Sequence, residues 1–222
     1  MKTRIVSIMA ACFCVISFCA KPVKATLITI EIEAVVHGVH DPDNHLEGRV
    51  NVGDLITGTY TYDTDTPDED WLLGSESDMV ARYHYFNPPY GIFLSVGGLD
   101  FKTDPDNTNF LIQLVNDYLY SIDTYSVTSY GNLPLSNGAI VDTISWGLRD
   151  DSGSAISSTD LLTTAPAISD WQHFNYLNIE GPGTRDNILF QAHVTSAVVI
   201  PEPSAILFLG FGAITLVGKV KK

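Results

Sequence analysis

Basic side chains are scarce along most of this chain. Of its 12 Lys and Arg, seven sit near the ends, at Lys2, Arg4, Lys21, Lys24, Lys219, Lys221 and Lys222. Between Thr26 and Ile200 only five remain, against 25 Asp and Glu, for a net charge of −20. A surface so acidic repels phosphate backbones and anionic lipid, which argues against a nucleic-acid partner. It favours solubility first, and divalent cations or basic partners second. Cysteine is missing from the same stretch, because Cys12, Cys14 and Cys19 all lie before it. That excludes disulfides, thiolate metal sites and a cysteine nucleophile there. There is no Gly-x-Ser-x-Gly, no glycine-rich phosphate loop and no Asn-x-Ser/Thr acceptor. No long helical periodicity and no internal repeat is evident.

What is present begins with the two ends. Lys2 and Arg4 precede an almost wholly apolar run from Ile5 to Ala20, and Val23 and Ala25 occupy small-residue cleavage positions. This is the pattern of a secretory signal peptide, with cleavage expected after Ala25. At the other end, Ala205 to Gly218 is fourteen residues with only Thr215 polar. A bilayer core asks for roughly 20. Lys219, Lys221 and Lys222 can snorkel to the interface and mark a cytoplasmic side. One short transmembrane helix is therefore expected, and a buried C-terminal element is the alternative. Pro201 and Pro203 fit a boundary.

A leader, an acidic exported part, Pro201-Glu202-Pro203, an apolar segment and a terminal basic cluster together resemble a PEP-CTERM protein. These are bacterial substrates of exosortase-type membrane enzymes. Here the basic cluster is lysine only, where arginine is common. The resemblance implies export, transient tethering in the inner membrane, and processing near Pro201, Glu202 and Pro203 by the sorting enzyme. It implies a cell-surface or exopolysaccharide-matrix destination in a Gram-negative bacterium. The expected organisation is signal peptide 1–25, ectodomain 26–198 and sorting segment 199–222. "GTYTYDTDTPD", "PPYGIFLSVGG" and "DDSGSAISSTDLL" also resemble stretches of PEP-CTERM ectodomains, a group that brings no assigned chemistry.

The middle of the chain reads as β-structure. Ile28, Ile30, Ile32, Ala34 and Val36 alternate with polar residues, a period of two. "LITGTYTYD", "MVARYHYF", "GIFLSVGGLDF", "NFLIQLV", "YLYSIDTYSV", "GAIVDTISWGL", "HFNYLNIE" and "NILFQAHVTSAVVI" follow suit. Turn formers separate them, with Asn116-Asp117 expected to join one pair. The fold class is all-β: an antiparallel, jelly-roll-like β-sandwich. A helical turn is expected to start at Ser158.

Candidate chemistry is sparse. Asp63, Asp65, Asp68 and Asp70 in "DTDTPDED" are closely spaced carboxylates of the kind calcium uses, although the spacing and missing glycine are not those of an EF-hand. A solvated acidic turn is the simpler reading, and no other cofactor is expected. His37, His40 and His45 with Asp41 and Asp43 offer a zinc-like donor set without the usual regularity. Packing within the sheet is the simpler reading of the many Tyr and Trp, and Trp71 and Tyr90 are the ones best placed in loops to contact a glycan. Trp146, Asp150, Asp117 and Tyr118 are the nearest approach to a glycan hydrolase, which needs two carboxylates. The expectation is a non-enzymatic exported surface or matrix protein. Its partners would be the sorting enzyme, the membrane and exopolysaccharide. A calcium-assisted carbohydrate-binding module is the alternative, and a glycan-degrading hydrolase stands behind it.

Overall fold

The computed structural model describes residues 27–69, 79–119, 121–182 and 188–201. Ala25, Asp70, Trp71, Glu202, Pro203, Lys219, Lys221 and Lys222 lie outside the described residues. Among the described residues ten strands form: β1 (Leu27–Val39), β2 (Leu55–Asp63), β3 (Val80–Tyr85), β4 (Gly91–Val96), β5 (Leu99–Lys102), β6 (Phe110–Tyr118), β7 (Ile122–Ser129), β8 (Thr143–Asp150), β9 (Phe174–Glu180) and β10 (Ile188–Ile200). In most of them burial alternates residue by residue, as a pleat with one wet face requires. Among the described residues no helix is long and apolar enough to cross a membrane.

The strands form one antiparallel sheet in the order β3-β6-β7-β8-β9-β10-β1-β2-β4-β5. β6 to β10 run as a meander. β10 then pairs with β1, and β3 leaves its sequence neighbours to line the outer side of β6. This differs from the two hydrogen-bonded sheets expected of a jelly-roll sandwich. The reason lies in β10, which pairs with β9 through one edge and β1 through the other, so no break separates the halves. Irregularities at Glu33/Ala34 and Val36/Gly38 interrupt the β1–β10 register, and bulges of this kind bend strands. The sheet curls until its distant strands meet: the Tyr60 hydroxyl on β2 is 3.0 Å from that of Tyr125 on β7. Along the seam the Leu133 N–H donates to the Lys102 carbonyl at 2.9 Å. Thr103 Oγ1 lies 2.8 Å from Ser129 Oγ.

The enclosed face is the core. Trp146, Tyr60, Tyr62, Tyr125, Phe101, Phe110 and Phe190 are fully buried there. Such side chains each contribute on the order of 2 kcal/mol by leaving water. Their polar atoms are partnered: Trp146 Nε1 donates to Asn175 Oδ1 at 3.1 Å. The Tyr62 hydroxyl donates to the Leu162 carbonyl at 2.6 Å, and Tyr83 to that of Thr159 at 2.9 Å. Burial pushes the Tyr83 hydroxyl up to about 12.

Several boundaries moved. "GIFLSVGGLDF" is two strands, turned at Gly97 and Gly98, which have φ of 58° and 72°. Both values fall where glycine is strongly preferred in tight hairpins. A Cβ on Gly97 would collide with the Arg49 carbonyl, and Arg49 Nε and Nη2 donate to the carbonyls of Gly97 and Gly98 at 3.0 and 2.6 Å. β6 continues through Asn116 and Asp117 to Tyr118, so its turn into β7 comes later than expected. β8 starts at Thr143 rather than near Gly138. No helix starts at Ser158. Its hydroxyl donates to the Asp160 carboxylate and accepts the Asp160 N–H, at 3.0 and 3.3 Å, closing a local turn instead.

Candidate functional site

The first candidate region lies at the end of the sheet from which the chain leaves for its C-terminal segment. Ile200 is across from Thr29, Thr29 from Thr61, and Thr61 from Gly91. Tyr90 and Pro201 therefore belong to the same end. Beside Tyr90 is an open groove of about 310 Å³, lined among others by Thr61, Pro88, Pro89, Phe93 and Thr103. Tyr90 is half-buried, with its ring 4.8 Å from that of Tyr85, while Phe93 is 40% exposed. Burial, then the neighbouring Asp63 carboxylate, hold the Tyr90 hydroxyl above the ordinary phenol range. An aromatic ring with threonine hydroxyls and prolines around an open groove is chemistry suited to a sugar ring.

The acidic loop adjoins this groove, and the carboxylates of Asp63, Asp68 and Glu69 have structural partners. Asp63 Oδ1 accepts the Asp65 N–H at 3.0 Å, and Oδ2 lies 3.5 Å from the Tyr90 hydroxyl. Asp68 Oδ1 accepts the Arg82 N–H at 2.7 Å. Glu69 pairs with His84. Among the described residues no three His, Cys, Asp or Glu side chains converge as a metal group. The histidines of "HGVHDPDNH" are put to separate uses. His37 is on β1, whereas His45 is in the following loop, 3.8 Å from Asp43. Asp41 accepts the His45 and Leu46 N–H groups, both at 2.7 Å, and so shapes that loop.

The second region is inside. Asp123 and Asp150 face one another across β7 and β8, and both are buried. Asp123 Oδ1 accepts the Asp117 N–H at 3.0 Å; Oδ2 accepts those of Ala155 and Ile156 at 3.0 and 3.1 Å. Asp150 Oδ2 accepts the Ser152 hydroxyl at 2.6 Å and the Ser154 N–H at 3.0 Å. These bonds, with the Ser152 hydroxyl foremost, hold the Asp150 carboxyl below the ordinary range. The pair fastens the segment after β8 to the sheet. Asp117, the other carboxylate considered for hydrolysis, is exposed at the end of β6.

The third region is the outer face of β9, β10 and β1, where rings from distant positions meet. Phe174 and Tyr176 are 4.3 Å apart at 85°, Tyr176 and His193 4.9 Å apart at 30°, and His193 and His37 4.2 Å apart at 22°. Burial and the second imidazole lower the His37 pKa. Sequence reasoning grouped His37 with its neighbours in the chain and passed over His193 and Tyr176. Only the pairing of the first strand with the last, and of β10 with β9, brings these three together. The outward phase of each strand was the one signal available.

Compared with protein-family models, with curated proteins and with solved structures, the chain gave no match.

Proposed function

We propose that this chain is an exported, non-enzymatic surface or exopolysaccharide-matrix protein. Its C-terminal segment is a sorting handle, recognised at Pro201, Glu202 and Pro203 and processed by an exosortase-type enzyme. The leader ends at Ala25. The apolar run 205–218 forms the short membrane helix, and Lys219, Lys221 and Lys222 stop transfer and orient it. The two facing halves of the curled sheet play the part of the two leaves of a sandwich. The observation that carries the reading is the order of the tail: proline-flanked glutamate, apolar run, lysine cluster, at the end of an acidic chain. Supporting it, β10 keeps its pairing with β1 up to Ile200, so the handle starts directly at the sheet's end. Deleting residues 205–222 is expected to leave the folded domain soluble and in the wrong compartment. Unchanged localisation of the deleted form would sink the reading.

The groove at Tyr90 favours a second reading, a carbohydrate-binding module with calcium held by Asp63, Asp65, Asp68 and Asp70. Trp71 would extend the contact surface. On this reading Tyr90→Ala weakens co-sedimentation with the host's exopolysaccharide, and chelator lowers the melting temperature. A melting temperature indifferent to calcium and to chelator counts against the calcium part.

A further inference from the structure

Three strands place a hydroxyl, an aromatic ring and an ammonium side by side in the groove next to Tyr90. Thr59 on β2 is across from Phe93 on β4, and Phe93 is across from Lys102 on β5. All three line the groove, and side chains paired in this way stand about 5 Å apart at Cβ. We propose that the groove binds a uronate sugar of an otherwise mostly neutral glycan, with Phe93 against the sugar ring and the Lys102 ammonium on its carboxylate. The proposal rests on the carbohydrate-binding reading of the Tyr90 groove, and it needs no calcium.

The charge of the lining sets this groove apart. The chain has 25 acids between Thr26 and Ile200, yet among the described residues no Asp or Glu lines the groove, and Lys102 does. Arg49, Arg82 and Arg149 are engaged, on the carbonyls of Gly97 and Gly98, on Gln113 and on Asp151. Among the described residues the Lys102 ammonium has no ion pair and no hydrogen bond. Its backbone is fixed all the same. The Lys102 carbonyl accepts the Leu133 N–H, and Thr103 donates its N–H to the Ile92 carbonyl, both at 2.9 Å. The seam therefore anchors the root of the side chain and leaves its charged end to a ligand, where an ammonium bonds a carboxylate with the strength of a charge-assisted pair. Phe93 is 40% exposed and offers an apolar face to a sugar ring. The Thr61 hydroxyl is taken up by Thr29 at 3.0 Å and that of Thr103 by Ser129 at 2.8 Å, so Thr59 is the threonine left to meet a sugar hydroxyl. A groove of about 310 Å³ falls within the range of small-molecule sites, about 300–1,000 Å³. Asp63, Asp100 and Asp104 flank the lining. With the net charge of −20 between Thr26 and Ile200 they repel a polymer charged at every sugar, and so select a carboxylate set among neutral neighbours.

The test uses a xylo-oligosaccharide bearing a single glucuronate and the same compound after reduction of its carboxyl group. Each is titrated into the full chain in non-ionic detergent and followed by calorimetry and by ligand-observed NMR. The acidic compound is expected to bind roughly tenfold more tightly, the order of one hydrogen bond to a charged group, and to lose that advantage as salt is raised. Lys102→Gln should bring the two affinities together, Lys102→Arg should keep the preference, and Phe93→Ala should weaken both compounds. Both side chains are exposed, so these variants should melt with the wild type. Equal affinity for the two compounds, or a preference that survives in Lys102→Gln, overturns the proposal and leaves the carbohydrate-binding reading in place. Failure of both compounds to bind overturns the two together.

Discussion

On β1 the carboxylates of Glu31 and Glu33 point to solvent, whereas on β7 and β8 those of Asp123 and Asp150 point into the curl of the sheet. Both pairs sit in regular strands of the same sheet. Their surroundings differ. Glu31 and Glu33 lie across from Thr59 and Thr57 on a wet face. Asp123 and Asp150 meet the N–H groups and hydroxyl of a segment that returns over them. The difference shows what an acidic composition hides. Some of the charge is solvation, and some is structural, because a carboxylate is the side chain best able to accept several backbone N–H groups at once. Counting acids does not separate the two, and register does.

The largest effect expected from breaking this comparison is in Asp123→Ala. Three N–H groups lose a charged acceptor, and hydrogen bonds to charged groups are worth about 1.5–3 kcal/mol each. A loss of about 4 kcal/mol in urea unfolding is expected, with a melting temperature about 10 °C lower. A loss of about 0.5 kcal/mol would place Asp123 with Glu31 instead. Next comes Tyr60→Phe, which strands the buried Tyr125 hydroxyl and should cost about 1–2 kcal/mol. Adding Tyr125→Phe should cost less than a second such loss, because no polar atom is then left alone.

A pH series sharpens the contrast further. The Asp150 carboxyl titrates below its unfolded value, so its stabilisation is complete above the ordinary aspartate range of about pH 4 and fades as pH falls through the folded value. Glu180, at the end of β9, has the opposite sign. Burial, then the Asp142 charge, raise its pKa, so the fold favours the protonated form and loses stability as pH rises through the folded value. Asp150→Asn should therefore flatten the acid limb of the stability profile, and Glu180→Gln should stabilise the protein at pH 7. The smallest changes are expected for Glu31→Gln and Glu33→Gln, within about 0.5 kcal/mol by chemical unfolding.

The strands themselves were legible, because a half-buried pleat writes its period of two directly into residues such as Ile28 to Val36. The turn at Gly97 and Gly98 was missed, because "GIFLSVGGLDF" reads as one strand although a Gly-Gly pair is itself a hairpin signal. Pairing was not legible. Nothing local tells β3 to leave β2 and join β6, or β10 to bind β9 and β1 at once, and those choices turn an expected pair of sheets into one curled sheet. For the same reason Tyr90 was legible as a loop aromatic, since its neighbours are prolines and a glycine. His193 was not legible as the partner of His37, because more than 150 positions separate them. Asp123 looked like one acid among many, and only the returning segment at Ala155 and Ile156 gives it a role.

The most direct test of the account is the C-terminal mass of the mature protein, recovered from the surface of a Gram-negative host that carries an exosortase-type enzyme. The account predicts a chain that begins at Thr26, ends near Pro203 and lacks Lys219, Lys221 and Lys222. It also predicts that replacing Pro201, Glu202 and Pro203 by alanine keeps the tail attached and the protein in the membrane. A surface protein that still ends at Lys222, or one whose processing ignores that triple replacement, would contradict it.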